Sequence, residues 1–441
     1  MKLSKHLFAL LMLSLLGCLS ASYVRAQSPR PVATLQQEIE NYVTTKAREM
    51  AAQGKRIDSD TRADLEDQKK SLARKYAAEA AARPDLAKTD FYYLGLLYMA
   101  GEDNARALDA LKRFLGEYPP DTKGDMIQSA RSVAVIIASR LKRTAEAEQF
   151  YQAWLKGEPL VKTHQPMLEN HLSAAFFKDG QYEQAVKYGR EAFDLLKTFQ
   201  AKTQRDKRDQ EQIYMNLVEV LALSYKKNKN NEQALEILAE ARAESFAIPS
   251  ANLYRKVMDF VAGSGFSEKK LMQKVESYAT ADPAPELKIV EWVGQGPASL
   301  ADLRGKIVLL DFWATWCGPC ISTFPRLRDW HKKYAGADFA IVGVTKYYGG
   351  ADGKRMTPLQ ELAFLGDFKD KYKLPYAIAV AEPTEDSMKY GISAYPTTML
   401  LDRNGVVRYI GIGAGTEESE NLEEMIKKLL KEGPRLASVA K

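Results

Sequence analysis

Cys317 and Cys320 stand two residues apart at the end of the run Val308-Leu309-Leu310-Asp311-Phe312-Trp313-Ala314-Thr315-Trp316-Cys317-Gly318-Pro319-Cys320. Two thiols at this spacing can interconvert between dithiol and disulfide, or can supply half of a tetrahedral metal site. A bridge this short closes too small a loop to brace a domain, so a purely structural role is set aside. The metal reading needs two further ligands. Of the three cysteines and four histidines, Cys18 and His6 fall in an N-terminal leader, His164 and His171 in a helical region, and only His331 is nearby. No metal is therefore expected, and redox chemistry remains. The apolar run before the cysteines reads as a buried strand and the residues after it as a helix. Unpaired backbone N–H groups and the macrodipole at a helix start favour an anion. Cys317 is thus expected to be the attacking thiolate and Cys320, one turn inside, the resolving thiol.

The elements that must hold this pair occupy the last third of the chain. Ile307 to Phe312, Phe339 to Val344, Tyr376 to Val380, Thr397 to Leu401 and Val406 to Ile410 read as strands, with helices between the first four. Arg403-Asn404-Gly405 marks a hairpin between the last two. Leu422, Met425, Ile426, Leu429 and Leu430 form one apolar helix face able to cover a sheet. Tyr347-Tyr348-Gly349-Gly350 reads as a flexible surface turn. Upstream, Ala281-Asp282-Pro283-Ala284-Pro285-Glu286 forbids a continuing helix and reads as a linker. Residues 27–280 read as helices, with apolar positions three and four apart. Four triplets recur there with spacings of 12 and then 7: Gly95/Ala107/Phe114, Val135/Ala147/Trp154, Ser173/Ala185/Ala192 and Ala222/Ala234/Ala241. The expected order is leader 1–26, helical region 27–280, linker 281–286 and redox domain 287–441. The linker is expected to let the redox domain fold alone.

Trp316-Cys317-Gly318-Pro319-Cys320 resembles the active site of thioredoxin, and the resemblance extends to its companions. It implies that Asp311 is the buried carboxylate that takes the proton of the second cysteine, and that Pro325 sits in the active-site helix. It further implies that Tyr395-Pro396-Thr397 is a cis-proline loop presenting backbone groups to a bound substrate strand. Trp316, Gly318, Pro319, Tyr395 and Pro396 would then contact substrate. From Pro285 onward the sequence is more particularly similar to the exported TlpA/ResA-type branch, through Ala284-Pro285-Glu286-Leu287, Phe312-Trp313-Ala314-Thr315-Trp316 and an added helix and strand across Thr357 to Val380. That branch often carries Asn in place of Asp311 and Glu in place of Thr323. The helical register resembles the tetratricopeptide repeat, best in Phe91, Leu94, Gly95, Tyr98, Ala107, Leu111, Phe114 and Pro119. Its key alanines are 40, 38 and 49 residues apart, so helices or loops are lengthened. The fold class implied is an all-α, TPR-like solenoid followed by an α/β thioredoxin-like domain.

Lys2 and Lys5 followed by the apolar run Leu7 to Leu19 read as an export signal. Val24-Arg25-Ala26 before Gln27 fits a cut, while Leu15-Leu16-Gly17-Cys18 resembles a lipobox through which Cys18 would anchor a lipoprotein. Removing Lys2, Lys5 and Arg25 with the leader lowers the formal charge from +6 to +3, too small a bias for nucleic acid. The cluster Lys202, Arg205, Lys207, Arg208 is interleaved with acids and reads as a solvated helix face. Gly318-Pro319 resembles the reducing members of the superfamily, with potentials near about −270 mV against about −120 mV for strong oxidants. The expected activity is periplasmic reduction of disulfides in client proteins, without a cofactor. The family resemblance implies re-reduction by a membrane thiol carrier, and the repeats are expected to engage clients or another protein partner. The alternatives are a disulfide isomerase or oxidase, and an interaction scaffold with an accessory redox domain. Peroxiredoxin chemistry is disfavoured because Thr315 gives Thr-x-Cys rather than Thr-x-x-Cys.

Overall fold

The computed structural model describes residues 29–55, 57–199, 203–275, 282–297, 299–334, 338–351 and 353–432. The leader with Cys18 and the cut after Ala26 lies outside them, as do Lys202 and the linker residue Ala281. By compactness the chain divides into two units, one ending at Ile137 and one beginning at Ala138.

The first unit contains α1 (Val32–Ala52), α2 (Ser59–Ala81), α3 (Asp90–Ala100), α4 (Asn104–Gly116) and the start of α5 (Gly124–Arg140). Asp58 accepts the Thr61 N–H at 2.9 Å and Asp103 that of Arg106 at 3.1 Å, satisfying donors left open at the starts of α2 and α4. Gly95 lets α3 and α4 approach closely, since a Cβ there would lie 2.8 Å from Leu111 Cγ. The second unit opens with α6 (Thr144–Leu155), α7 (Gln165–Lys178), α8 (Tyr182–Leu196), α9 (Gln204–Lys227), α10 (Asn231–Ala247), α11 (Ala251–Gly263) and α12 (Glu268–Val275). Ser173 replaces the small residue of the register and donates its hydroxyl to the Ala185 carbonyl at 2.7 Å.

The turns within the helix pairs repeat as closely as the helices. Left-handed residues Glu102, Lys142, Gly180 and Lys229, with φ of 65°, 58°, 77° and 60°, each fall seven positions after Gly95, Val135, Ser173 and Ala222. The next residue returns its N–H to the carbonyl of Tyr98, Ala138, Phe176 or Tyr225, at 2.8 to 2.9 Å. This Schellman closure satisfies the last carbonyls of the first helix in each pair. Ala107, Ala147, Ala185 and Ala234 are fully buried, as the register requires.

The remainder of the second unit is a mixed sheet of order β1-β6-β3-β2-β7-β8. Its strands are β1 (Ile289–Val293), β2 (Ile307–Phe312), β3 (Phe339–Lys346), β6 (Ala377–Ala381), β7 (Thr397–Leu401) and β8 (Val407–Ile412), with a small hairpin of β4 (Gly350–Ala351) and β5 (Lys354–Arg355). β2 lies between β3, parallel, and β7, antiparallel, and all six of its residues are buried. Buried on both faces, it reads as a continuous apolar run broken only by Asp311. The helices are α13 (Gly318–Tyr334), α14 (Pro358–Lys371), α15 (Glu385–Tyr390) and α16 (Thr416–Lys431), with Pro325 inside α13. β1 and the β4/β5 hairpin go beyond the predicted elements.

Side chains of β2 alternate between two cores. Ile307, Leu309 and, beyond the strand, Trp313 join Phe324, Leu327, Leu365, Phe368, Leu422 and Ile426 of α13, α14 and α16. Val308, Leu310 and Phe312 join Tyr390 of α15 and Ala251 of α11, with Phe246 and Tyr254 packed alongside. The expected independence of the segment after the linker is therefore corrected. Helices of the preceding region cover one face of its sheet, and within 282–286 Ala284 is buried in that same core.

Candidate active site

The end of β2 delivers the cysteines. Trp313 extends the ladder by donating its N–H to the Val344 carbonyl at 3.0 Å, and a turn follows in which Cys317 donates to Ala314, also at 3.0 Å. Cys317 and Cys320 are joined as a disulfide with Cα atoms 5.3 Å apart. The Cys320 N–H, in the first turn of α13, points at Cys317 Sγ at 3.2 Å. A donor aimed at this sulfur favours its anionic form once the pair is reduced. Cys317 keeps 5% of its surface exposed and Cys320 none. Gly318 and Pro319 lie exposed beside them. Thr323 donates its hydroxyl to the Cys320 carbonyl at 2.7 Å, so it is engaged within its own helix.

By alternation along β2, Asp311 faces the same side as Leu309 and Trp313, in whose core Cys317 and Cys320 are buried. Its side chain is 1% exposed and neither carboxyl oxygen has a hydrogen-bond partner among the described residues. Burial pushes its pKa up to about 7. The Tyr376 hydroxyl is likewise buried without a partner, and burial followed by the nearby Asp311 charge holds it well above the usual phenol range. A carboxyl group so placed can exchange a proton near neutral pH, as general acid-base work requires.

Trp316 is 64% exposed, and the rings of Tyr348 and Tyr395 meet it edge-on at 5.6 and 6.1 Å. The Tyr395-Pro396 bond is cis. Of the residues expected to meet substrate, Gly318 and Pro319 thus lie between the cysteines, and Tyr395, with the cis Pro396 next in the chain, sits against Trp316. Burial, then the neighbouring Tyr348 and the Asp386 carboxylate, push the Tyr395 phenol far above its ordinary pKa.

Two further residues, both buried carboxylates, shape this rim without a cysteine motif to announce them. Asp386, 6% exposed, accepts the Tyr395 hydroxyl at 2.5 Å and Lys346 Nζ on both oxygens at 3.0 Å. Glu361, 3% exposed, accepts the N–H of Tyr348 at 2.8 Å and of Gly349 at 3.0 Å. The turn Tyr347 to Gly350 is accordingly no free surface loop: a buried carboxylate pins its backbone while Tyr348 packs on Trp316. The available signal was an acid on the buried face of α14, in line with Leu365 and Phe368.

The AhpC/TSA family model matches residues 280–410, and a tetratricopeptide repeat model matches residues 91–120. The thioredoxin-like protein YneN of Bacillus subtilis (strain 168) is 33% identical over 146 residues, which is 33% of this chain and 76% of that protein. The thiol-disulfide oxidoreductase ResA of Oceanobacillus iheyensis is 33% identical over 142 residues, covering 32% of this chain and 68% of its own. Among solved structures, a putative thiol:disulfide interchange protein DsbE from Chlorobium tepidum aligns at 30% identity over 34% of this chain and 96% of its own, with a TM-score of 0.28.

Proposed function

The chain belongs to the thioredoxin-like thiol-disulfide oxidoreductases of the ResA type, and on that premise we propose that it reduces protein disulfides with Cys317 attacking and Cys320 resolving. The observation that carries this reading is the Cys320 N–H directed at Cys317 Sγ, with the buried, unpartnered Asp311 on the same face of β2. The Cys317 thiolate attacks one sulfur of the client disulfide, the client S–S bond breaks, and one client thiolate leaves. Cys320 gives its proton to the Asp311 carboxylate and attacks Cys317 Sγ. The mixed disulfide breaks, the second client thiolate leaves, and two electrons have passed from the dithiol to the client. The Cys317–Cys320 disulfide then needs a dithiol to restore it, a role suited to a membrane thiol carrier. Among the described residues no helix is long and apolar enough to cross a membrane. Export to the periplasm, in soluble form or anchored through Cys18, belongs to the same proposal and rests on the leader.

Insulin reduction with a dithiol donor tests the activity, and inertness of the dithiol form would overturn it. The measured reduction potential separates a reductase, near about −270 mV, from an oxidase or isomerase at about −180 to −120 mV. The helical region is proposed to hold clients. Its first unit contains a groove of about 630 Å³ lined by Tyr92, Tyr93, Leu96, Met99 and Met126, with Glu40, Asp125 and Lys69 among its charged lining. Aromatic and methionine side chains with charged groups beside them suit a protein segment that presents apolar side chains.

A further inference from the structure

The rim residue Tyr395 takes its position from a chain of contacts that begins in the helical region. On α9, the Glu211 carboxylate is 5% exposed and accepts the Ser250 hydroxyl at 2.6 Å and Asn252 Nδ2 at 2.7 Å. These two residues form the start of α11, where Ser250 also caps the Leu253 N–H at 3.2 Å. The Asn252 N–H, a donor left open by helix geometry, is donated to the Gly391 carbonyl at 3.0 Å. Gly391 ends α15 with φ +56°, and a Cβ there would lie 2.3 Å from Ser250 Oγ and 2.9 Å from Ser250 Cα. Only glycine permits this approach. Lys207, also on α9, donates to the Met388 carbonyl, so the segment is held at a second point. Tyr390 also packs on Phe312, the rings tilted with centroids 5.2 Å apart, and donates to the Pro285 carbonyl at 2.6 Å. The held segment carries Asp386, whose carboxylate fixes the Tyr395 hydroxyl, and it continues directly into Pro396.

We propose that Glu211 and Gly391 are positioning residues for the substrate rim: they dock α11 onto residues 386–395 and so fix the cis-proline segment beside Trp316. This rests on the disulfide-reductase reading of Cys317 and Cys320. Neither residue touches the sulfurs, so thiol exchange with a small disulfide, which needs only Cys317, does not depend on them. A protein client must lie along Tyr395 and Pro396, and its binding does.

The test uses the full chain with Glu211→Gln, which removes one acceptor oxygen, and Gly391→Ala, which forces the close approach apart. Circular dichroism checks folding, and Glu211→Gln serves if Gly391→Ala fails to fold. Two readouts are taken: KM and kcat for insulin against a small aromatic disulfide, and hydrogen exchange of amides 391–401. The expected result is a KM for insulin raised about fivefold or more, small-disulfide turnover within about twofold of the parent, and faster exchange confined to 391–401. Equal losses on both substrates, or unchanged exchange in that segment, would overturn the proposal. If the parent chain reduces neither substrate, the reductase reading fails, while the exchange comparison still decides whether the docking fixes the segment.

Discussion

The two cysteines differ in one small exposed area and in the direction of one amide, and the proposed roles rest on those differences. Cys317→Ser is expected to abolish disulfide reduction, whereas Cys320→Ser should stop it at a trapped mixed disulfide. Iodoacetamide applied to the reduced protein at neutral pH should label Cys317 first, and faster labelling of Cys320 would reverse the assignment. Asp311 has a second, thermodynamic signature. Its folded pKa of about 7 lies above the ordinary 3.8, so between those values the native chain binds a proton that the unfolded chain has released. Stability therefore falls as pH rises from about 4 to about 7 and is level above, with a full difference on the order of 4 kcal/mol. Asp311→Asn removes this cost while slowing the resolving step. The variant should melt higher than the parent at pH 8, with the gap closing toward pH 4. A gap that ignores pH would mean that Asp311 is not the titrating group.

At the scale of elements, the helix pairs meet where the chain provides little side chain, and two glycines separate packing from backbone conformation. Gly95→Ala puts a Cβ 2.8 Å from the buried Leu111 and should cost about 1–3 kcal/mol through overpacking. Gly180→Ala faces open space but must keep φ near +77°, so its cost is the left-handed penalty of about 1–2 kcal/mol. Urea unfolding of both variants checks this: a second change, Leu111→Ala, which removes the Cγ and Cδ2 atoms that the new Cβ would meet, should cost less on the Gly95→Ala background than alone, whereas on the Gly180→Ala background its cost should be unchanged. The repeat register was legible because it is written in residue size at fixed spacing, and β2 because a strand buried on both faces leaves an unbroken apolar run. Ile289 to Val293 was not, since β1 is an edge strand with Glu291 and Trp292 facing partly outward, so it lacks that signature. The rim was legible at Trp316, Tyr395 and Pro396, which a motif fixes. It was hidden at Asp386 and Glu361, because a carboxylate bonded to a distant tyrosine or loop amide leaves no local pattern. Likewise, nothing around Ser250 announces that its neighbour in space is Gly391.

For the molecule as a whole, the packing redraws where it can be cut. A chain beginning at residue 283 loses α11 and uncovers the face that includes Val308, Leu310 and Phe312, so it should be poorly soluble or markedly less stable. A chain beginning at Thr144 retains both faces and should reduce insulin like the parent. Equal stability of the two, by thermal unfolding, would make α11 dispensable. In the full chain, Tyr93→Ala should raise the half-saturation concentration for a native client while leaving insulin reduction unchanged. The order of the strands also has a consequence for biosynthesis. β2 pairs with β7, whose first residue is 397, and α11 awaits Gly391, so the centre of the sheet stays open until late in translation while the helical unit ending at Ile137 is already whole. A nascent chain thus carries Cys317 and Cys320 uncovered for some eighty residues of elongation. The one other cysteine of the sequence is Cys18, so once the proposed export step has cut away the leader or left Cys18 carrying a lipid, an oxidant met in that interval can close only the native bond, and late closure of the fold then brings no scrambled isomers within the chain.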